Sequence, residues 1–186
     1  MRGPIPNSYR LHDGRLIAGE YPGDLDEEVA RAKLGALLDA GVTAFIDLME
    51  GHEVAPYDGL VAEMAKARGR SVTYDRVPIR DISVPSSPSV MREILDTIDS
   101  VLERGGTVYV HCWGGVGRTG TVVGCHLVRR GMTGDEALRR VVELFTNMEK
   151  YSRGRRSPDT DEQDAYVRGW AETLPNANRG NSPSDE

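Results

Sequence analysis

Between Val108 and Gly120 the chain reads Val-Tyr-Val-His-Cys-Trp-Gly-Gly-Val-Gly-Arg-Thr-Gly, and few folds accommodate residues in that order. The apolar run that ends in His111 and Cys112 reads as a strand. A glycine-rich loop follows, and Arg118-Thr119-Gly120 opens a helical pattern. A strand, a tight loop and a helix N-terminus in succession turn several backbone N–H groups toward one point, together with the positive end of the helix dipole. Gly114, Gly115 and Gly117 carry no Cβ that would bar positive φ or the approach of an anion. Arg118 adds a planar fork of donors that matches a phosphate bidentately. A thiol in that field is acidified, because its surroundings favour the thiolate. Trp113, Gly114, Gly115, Val116, Gly117 and Arg118 thus form an anion cradle with a nucleophile, Cys112, at its floor. That combination points to hydrolysis of a phosphate ester.

The remaining elements set this motif in an α/β frame. Arg15–Ala18 is a short strand after a turn-rich lead-in over residues 1–14. Asp24 with Glu27 resembles a capping box, and Ala30, Leu34, Leu37 and Leu38 trace the inner face of the helix it starts, which Gly41 stops. Residues 42–48 are nearly all apolar, as in a strand buried on both faces. Residues 49–58 form an irregular loop, and Leu60, Val61, Met64 and Ala65 mark a helix ending at Gly69. A third main strand spans 72–79, and 80–87 is a loop. Ser87 and Pro88 open a helix with Met91, Ile94, Leu95, Ile98, Val101 and Leu102 on one face. After the 107–111 strand and the helix from Arg118 to Arg130, Thr133 and Glu136 box a helix to about Asn147, with Leu138, Val141, Val142 and Phe145 inward. Thr160 and Gln163 cap the last helix, whose Tyr166, Val167 and Trp170 face the core. Alternating strands and helices predict a central, mostly parallel sheet flanked by helices on both faces. The crevice then lies at the carboxyl ends of the strands, where Cys112, Asp81 and the 49–58 loop converge.

A chain of 186 residues with 39% hydrophobic and 28% charged residues describes a single globular domain, here residues 1–174, with a disordered tail over 175–186. A net charge of −6 argues against a nucleic-acid partner and against anionic membrane surfaces. Two cysteines, no apolar leader and no long apolar run predict a cytoplasmic protein, with a monomer favoured. His12, His52 and His126 show no metal-ligand spacing, so no metal and no cofactor is expected.

The His111-Cys112-x5-Arg118-Thr119 stretch resembles the signature of the cysteine-dependent protein tyrosine and dual-specificity phosphatases, with every fixed residue in register. The resemblance implies a phosphatase fold and a phosphocysteine intermediate. It also implies that an Asp on a loop upstream of the nucleophile protonates the leaving oxygen and later deprotonates the hydrolytic water. Asp81, in Pro78-Ile-Arg-Asp-Ile-Ser-Val-Pro85, matches that loop, whereas Asp75 sits mid-strand. Thr119 matches the family's hydroxyl that assists the departing thiolate. His111 orders the loop by the same resemblance, and a buried structural histidine describes it equally well. Gln163 resembles the family's late water-positioning glutamine, yet it also completes the capping box with Thr160. Cys125 reads as a core thiol, or as a redox partner of Cys112.

The implied substrate is a phosphorylated protein or a small phosphate ester. No basic residue lies between Cys112 and Arg118, and Trp113 offers an aromatic wall, which favours phosphotyrosine over phosphoserine or phosphothreonine. The alternatives are a phospho-ligand-binding module, a sulfur-transfer or arsenate-reducing enzyme, and an inositol phosphatase. For the last of these, Arg153, Arg155 and Arg156 would supply the missing basic wall; otherwise they form a solvated loop.

Overall fold

The computed structural model describes residues 1–11, 14–152 and 155–171. In chain order these form β1 (Ser8–Arg10), β2 (Leu16–Gly19), α1 (Glu27–Asp39), β3 (Ala44–Asp47), α2 (Asp58–Ala67), β4 (Thr73–Arg76), α3 (Pro88–Glu103), β5 (Val108–His111), α4 (Gly117–Arg129), α5 (Gly134–Phe145) and α6 (Asp161–Arg168). The expected tail over 175–186, and with it the domain boundary at 174, lies outside the described residues, as do His12 and Arg153.

The strands make one sheet in the order β1-β2-β5-β3-β4. β1 pairs antiparallel with β2, and every other pair is parallel. Side chains alternate across it as strand geometry requires. Ile17, Phe45 and Tyr109 pack with Leu34, Leu37 and Leu38 of α1 and with Val61 and Met64 of α2. Leu16, Ala18, Ala44, Ile46, Val108 and Val110 face the opposite core, built with α3, α4, α5 and α6. Helices therefore cover both faces, as the alternation predicts. The register sets Gly19 and Asp47 beside His111. Three strands thus end level, and their outgoing loops meet at one edge of the sheet.

Several local readings are corrected. The N-cap of α1 is Asp26, whose side chain accepts from Glu28 N; Asp24 instead accepts from Asp26 N. Ser87 makes no capping bond, its hydroxyl being engaged with Ser89, although Pro88 does start α3. Val142 is exposed rather than inward, because it sits at the edge of the apolar stripe of α5. Within the 1–14 lead-in, Ser8–Arg10 forms an edge strand that the turn-rich composition conceals. The third main strand is shorter than expected, yet Val77 N to Asp47 O and Ile79 N to Leu48 O continue its pairing on either side of Pro78, which has no N–H to give. That extension carries the chain from the sheet to Asp81.

Candidate active site

The loop from Cys112 to Val116 is held by its carbonyl groups. His111 Nδ1 meets Cys112 O at 3.3 Å, and Tyr21 N donates to Trp113 O at 3.1 Å. Lys150 Nζ donates to Gly114 O at 3.0 Å, and Ser157 Oγ to Val116 O at 2.8 Å. With the carbonyls tied outward, the N–H groups of the loop are left for a ligand. The N-cap of α4, Val116, supplies no side-chain acceptor, so the first turn adds its unpaired donors. Gly115 has a φ of 71°, and a Cβ there would stand 2.3 Å from the Gly19 carbonyl carbon. Only glycine fits where the loop passes that close to β2. Cys112 sits beneath, 4% exposed, at the floor of a cleft of about 530 Å³. Glu53, Asp81, Ile82, Trp113, Asp159 and Gln163 are among the residues that line it.

Arg118 is buried, and its guanidinium is partly committed. Nη1 and Nη2 donate to the two oxygens of Glu53 at 2.6 and 2.8 Å, and Nη1 also reaches Ile79 O at 3.1 Å. Asp81 Oδ1 lies 3.0 Å from Nη2. Nε is buried with no hydrogen-bond partner. Glu53 therefore takes the end-on edge of the fork; on the side-on edge Nε has no partner and Nη2 faces Asp81. The Arg118 guanidinium holds the Glu53 carboxyl below the usual carboxylate range. Glu53 and Lys150 are residues of this site that the sequence reading did not single out.

His111 is fully buried, and burial pushes its pKa down to about 4. The Cys112 carbonyl can only accept, so Nδ1 carries the ring proton. Nε2 then accepts from Tyr57 Oη at 2.7 Å. Burial raises the Tyr57 phenol well above its ordinary pKa, which keeps that donor protonated. Both ring nitrogens of His111 are thus engaged, one on the Cys112 carbonyl of the loop and one on Tyr57. Tyr57 belongs to the site through this contact.

The other expected residues divide. Asp81 reaches the cleft with its side chain 63% exposed. Beside it Ile82 holds a φ of 57°, an unfavourable conformation for a β-branched residue. Thr119 lies buried in the first turn of α4, its hydroxyl without a hydrogen-bond partner. Gln163 is buried, and its Oε1 accepts from Asp159 N at 3.1 Å and Thr160 N at 3.3 Å, completing the capping box. Its Nε2 donates to Ser83 O at 2.9 Å, which ties α6 to the Asp81 loop. Trp113 is 61% exposed and stacks on Tyr21 with centroids 5.9 Å apart. Arg155 lines the cleft, while Arg156 pairs with Asp161 and Asp164. Cys125 is buried in the core. Among the described residues no group of His, Cys, Asp and Glu is arranged to hold a metal ion. No helix among them is long and apolar enough to cross a membrane.

Comparison with known proteins places this geometry. The chain is 36% identical over 56 residues to dual specificity protein phosphatase 1 of Mus musculus, a match covering 30% of the chain and 15% of that relative. It thus spans a small part of the length of such curated relatives. Tk-PTP in its active form superposes with a TM-score of 0.63 and 26% identity, over 86% of this chain and 93% of that one. PTPMT1 in complex with PI(5)P shares the fold at a TM-score of 0.62 and 17% identity, over 87% of this chain and 92% of that one. The model of one family, described as Tc-R-P, a polymorphic toxin system DSP-PTPase phosphatase, matches residues 25–132. That span is more than half of the chain and holds Glu53, Asp81, Cys112 and Arg118, so this protein is a member of the DSP-PTPase phosphatases of polymorphic toxin systems.

Proposed function

We propose that the protein hydrolyses phosphate monoesters through a phosphocysteine at Cys112, with phosphotyrosine as its preferred substrate, and that residues 1–174 act as one catalytic domain. The observation that carries this reading is the buried Arg118 with an unpartnered Nε, standing at a loop whose carbonyls are tied outward above the Cys112 thiol. A phosphoryl group seated there takes the loop N–H groups and the Nε–Nη2 edge of Arg118, displacing Asp81 from Nη2. Cys112 Sγ attacks phosphorus and the bond to the leaving oxygen breaks. Asp81 gives that oxygen its proton. Water then attacks phosphorus and gives a proton to a carboxylate of the cleft, the P–S bond breaks, and the electron pair returns to sulfur beside the Thr119 hydroxyl. Cradle geometry matters most here, because donors aimed at the developing charge act where water is excluded.

Trp113, held by stacking on Tyr21, supports an aryl substrate, since it lines the cleft with aromatic surface. A second reading, an inositol phosphate, is favoured by Arg155 on the cleft lining, where it could meet another phosphate. The test compares kcat/KM on phosphotyrosine and phosphothreonine peptides and on soluble inositol phosphates, using wild type and Cys112→Ser. Phosphotyrosine turnover that Cys112→Ser abolishes is expected. Turnover by Cys112→Ser near the wild-type rate overturns the nucleophile assignment, and a winning inositol phosphate overturns the substrate. Tight phosphopeptide binding without any turnover would identify a binding module instead.

A further inference from the structure

Two steps of the proposed reaction move a proton, and the cleft holds more than one carboxylate. Glu53 is committed to Arg118. Asp81 is ion-paired to the same guanidinium. Asp47, buried at the end of β3, is spent on Met49 N, Tyr74 and Arg76. Asp159 differs from all three. It lines the cleft just before α6, and among the described residues its carboxylate receives no hydrogen bond and joins no ion pair. Oδ2 lies 3.1 Å from where a Cβ on Gly117 would stand, and Gln163 Nε2 is at the same distance from that point. Gly117 is the first residue of α4 and precedes Arg118. The carboxylate and the amide therefore flank the rim of the cradle together. Gln163 Oε1 is occupied by two backbone donors, and Nε2 has given one of its two hydrogens to Ser83 O. What remains is one amide donor beside one open carboxylate. A water held between them has a donor for its lone pair and an acceptor for its proton.

We propose that Asp159 is the general base of the second half-reaction, while Asp81 is the acid of the first. The inference rests on the phosphocysteine reading above. As the water oxygen bonds to phosphorus, the P–S bond breaks and its electron pair returns to Cys112. The water proton passes to Asp159, and inorganic phosphate is the product. Burial raises the Asp159 carboxyl above the usual carboxylate range; Arg155 draws it down, Asp81 adds to the rise and Arg156 opposes it. The net rise makes it a better proton acceptor than a solvated carboxylate.

The experiment is rapid-mix kinetics on an aryl phosphate with an acidic phenol, comparing wild type, Asp159→Asn and Asp81→Asn, with intact-mass detection of phosphorylated Cys112. Asp159→Asn should release one equivalent of phenol per enzyme at the wild-type rate and then turn over on the order of 10²-fold more slowly, with phosphocysteine accumulating. Asp81→Asn should not accumulate it. Unchanged steady-state turnover in Asp159→Asn overturns the assignment. So does a parallel loss of the phenol burst and of turnover in a variant that vanadate still stabilises against thermal unfolding. Asp159→Ser is read in the same way should the asparagine variant fail to fold. Turnover with no phosphorylated Cys112 in any variant would refute the phosphocysteine reading itself, a different failure.

Discussion

Removing Glu53 tests whether the site is assembled around one buried guanidinium. Arg118 has 1% of its side chain exposed and Glu53 17%, and two bonds of 2.6 and 2.8 Å join them. Breaking a buried pair by deleting one partner costs ~3–5 kcal/mol, because the remaining charge loses its counterion. Here Asp81 and Ile79 O still face the guanidinium, and Asp81 is largely exposed, so Glu53→Ala belongs at or below the low end, about 3 kcal/mol. For a chain of this size that lowers the unfolding temperature by roughly 6–12 °C. Phosphate or vanadate bound on the Nε edge restores a counter-charge, so the gap should narrow in saturating oxyanion. The pH dependence has a fixed sign. Arg118 depresses the folded-state Glu53 pKa below its ordinary 4.5. Its stabilisation is therefore fully present above about 4.5 and is lost as pH falls through the lower folded value. Thermal unfolding of wild type and Glu53→Ala, from pH 7 to 3 and with and without vanadate, reads both effects. A variant that melts with wild type at pH 7, or a gap that oxyanion does not change, refutes the reasoning.

Asp81→Ala should lower kcat by ~10²–10⁴-fold with KM little changed, since leaving-group protonation matters in the transition state. The deficit should shrink as the leaving phenol becomes more acidic, and a deficit equal across phenols would move the acid elsewhere. Gly115→Ala must hold a φ of 71° with its Cβ 2.3 Å from the Gly19 carbon, so it should lose oxyanion binding and ~2 kcal/mol or more of stability in urea titrations. Tyr57→Phe strands His111 Nε2 without a donor and should cost ~1–3 kcal/mol. In wild type the burial of neutral His111 contributes stability above pH 6.5 that is lost as pH falls toward about 4, and substituting His111 should flatten that slope.

The helices were readable where one face repeats cleanly. Met91, Ile94, Leu95 and Ile98 of α3 are all buried, and their spacing alone points them one way. Readings failed where the signal was short or doubled. β1 has three residues, too few to show a period, and it exists because β2 offers an antiparallel partner. At the start of α1, Asp24 and Asp26 both sit before acidic residues, and only the path of the chain decides which one caps. Val142 follows the buried Val141 directly, so a turn of about 100° carries it to the rim of the stripe.

The site was readable only as far as spacing itself encodes geometry. From His111 to Thr119 the residues are consecutive, so their order already implies strand, loop and helix. Asp81 could be found because a resemblance supplied its loop. Glu53 could not, since Glu50, Glu53 and Asp58 share one irregular segment and nothing local distinguishes them. What selects Glu53 is the strand order, which puts β3 beside β5 and its outgoing loop over Arg118. Lys150 was hidden for the same reason, because its partner Gly114 is distant in sequence and close in the fold. Gln163 shows how a local rule can conceal a site. The capping box with Thr160 is real and accounts for its oxygen. The same amide also ties down the Asp81 loop through Ser83 and lies against Gly117 beside Asp159. The cap holds Gln163 in place, and that placement brings Asp159 to the cradle.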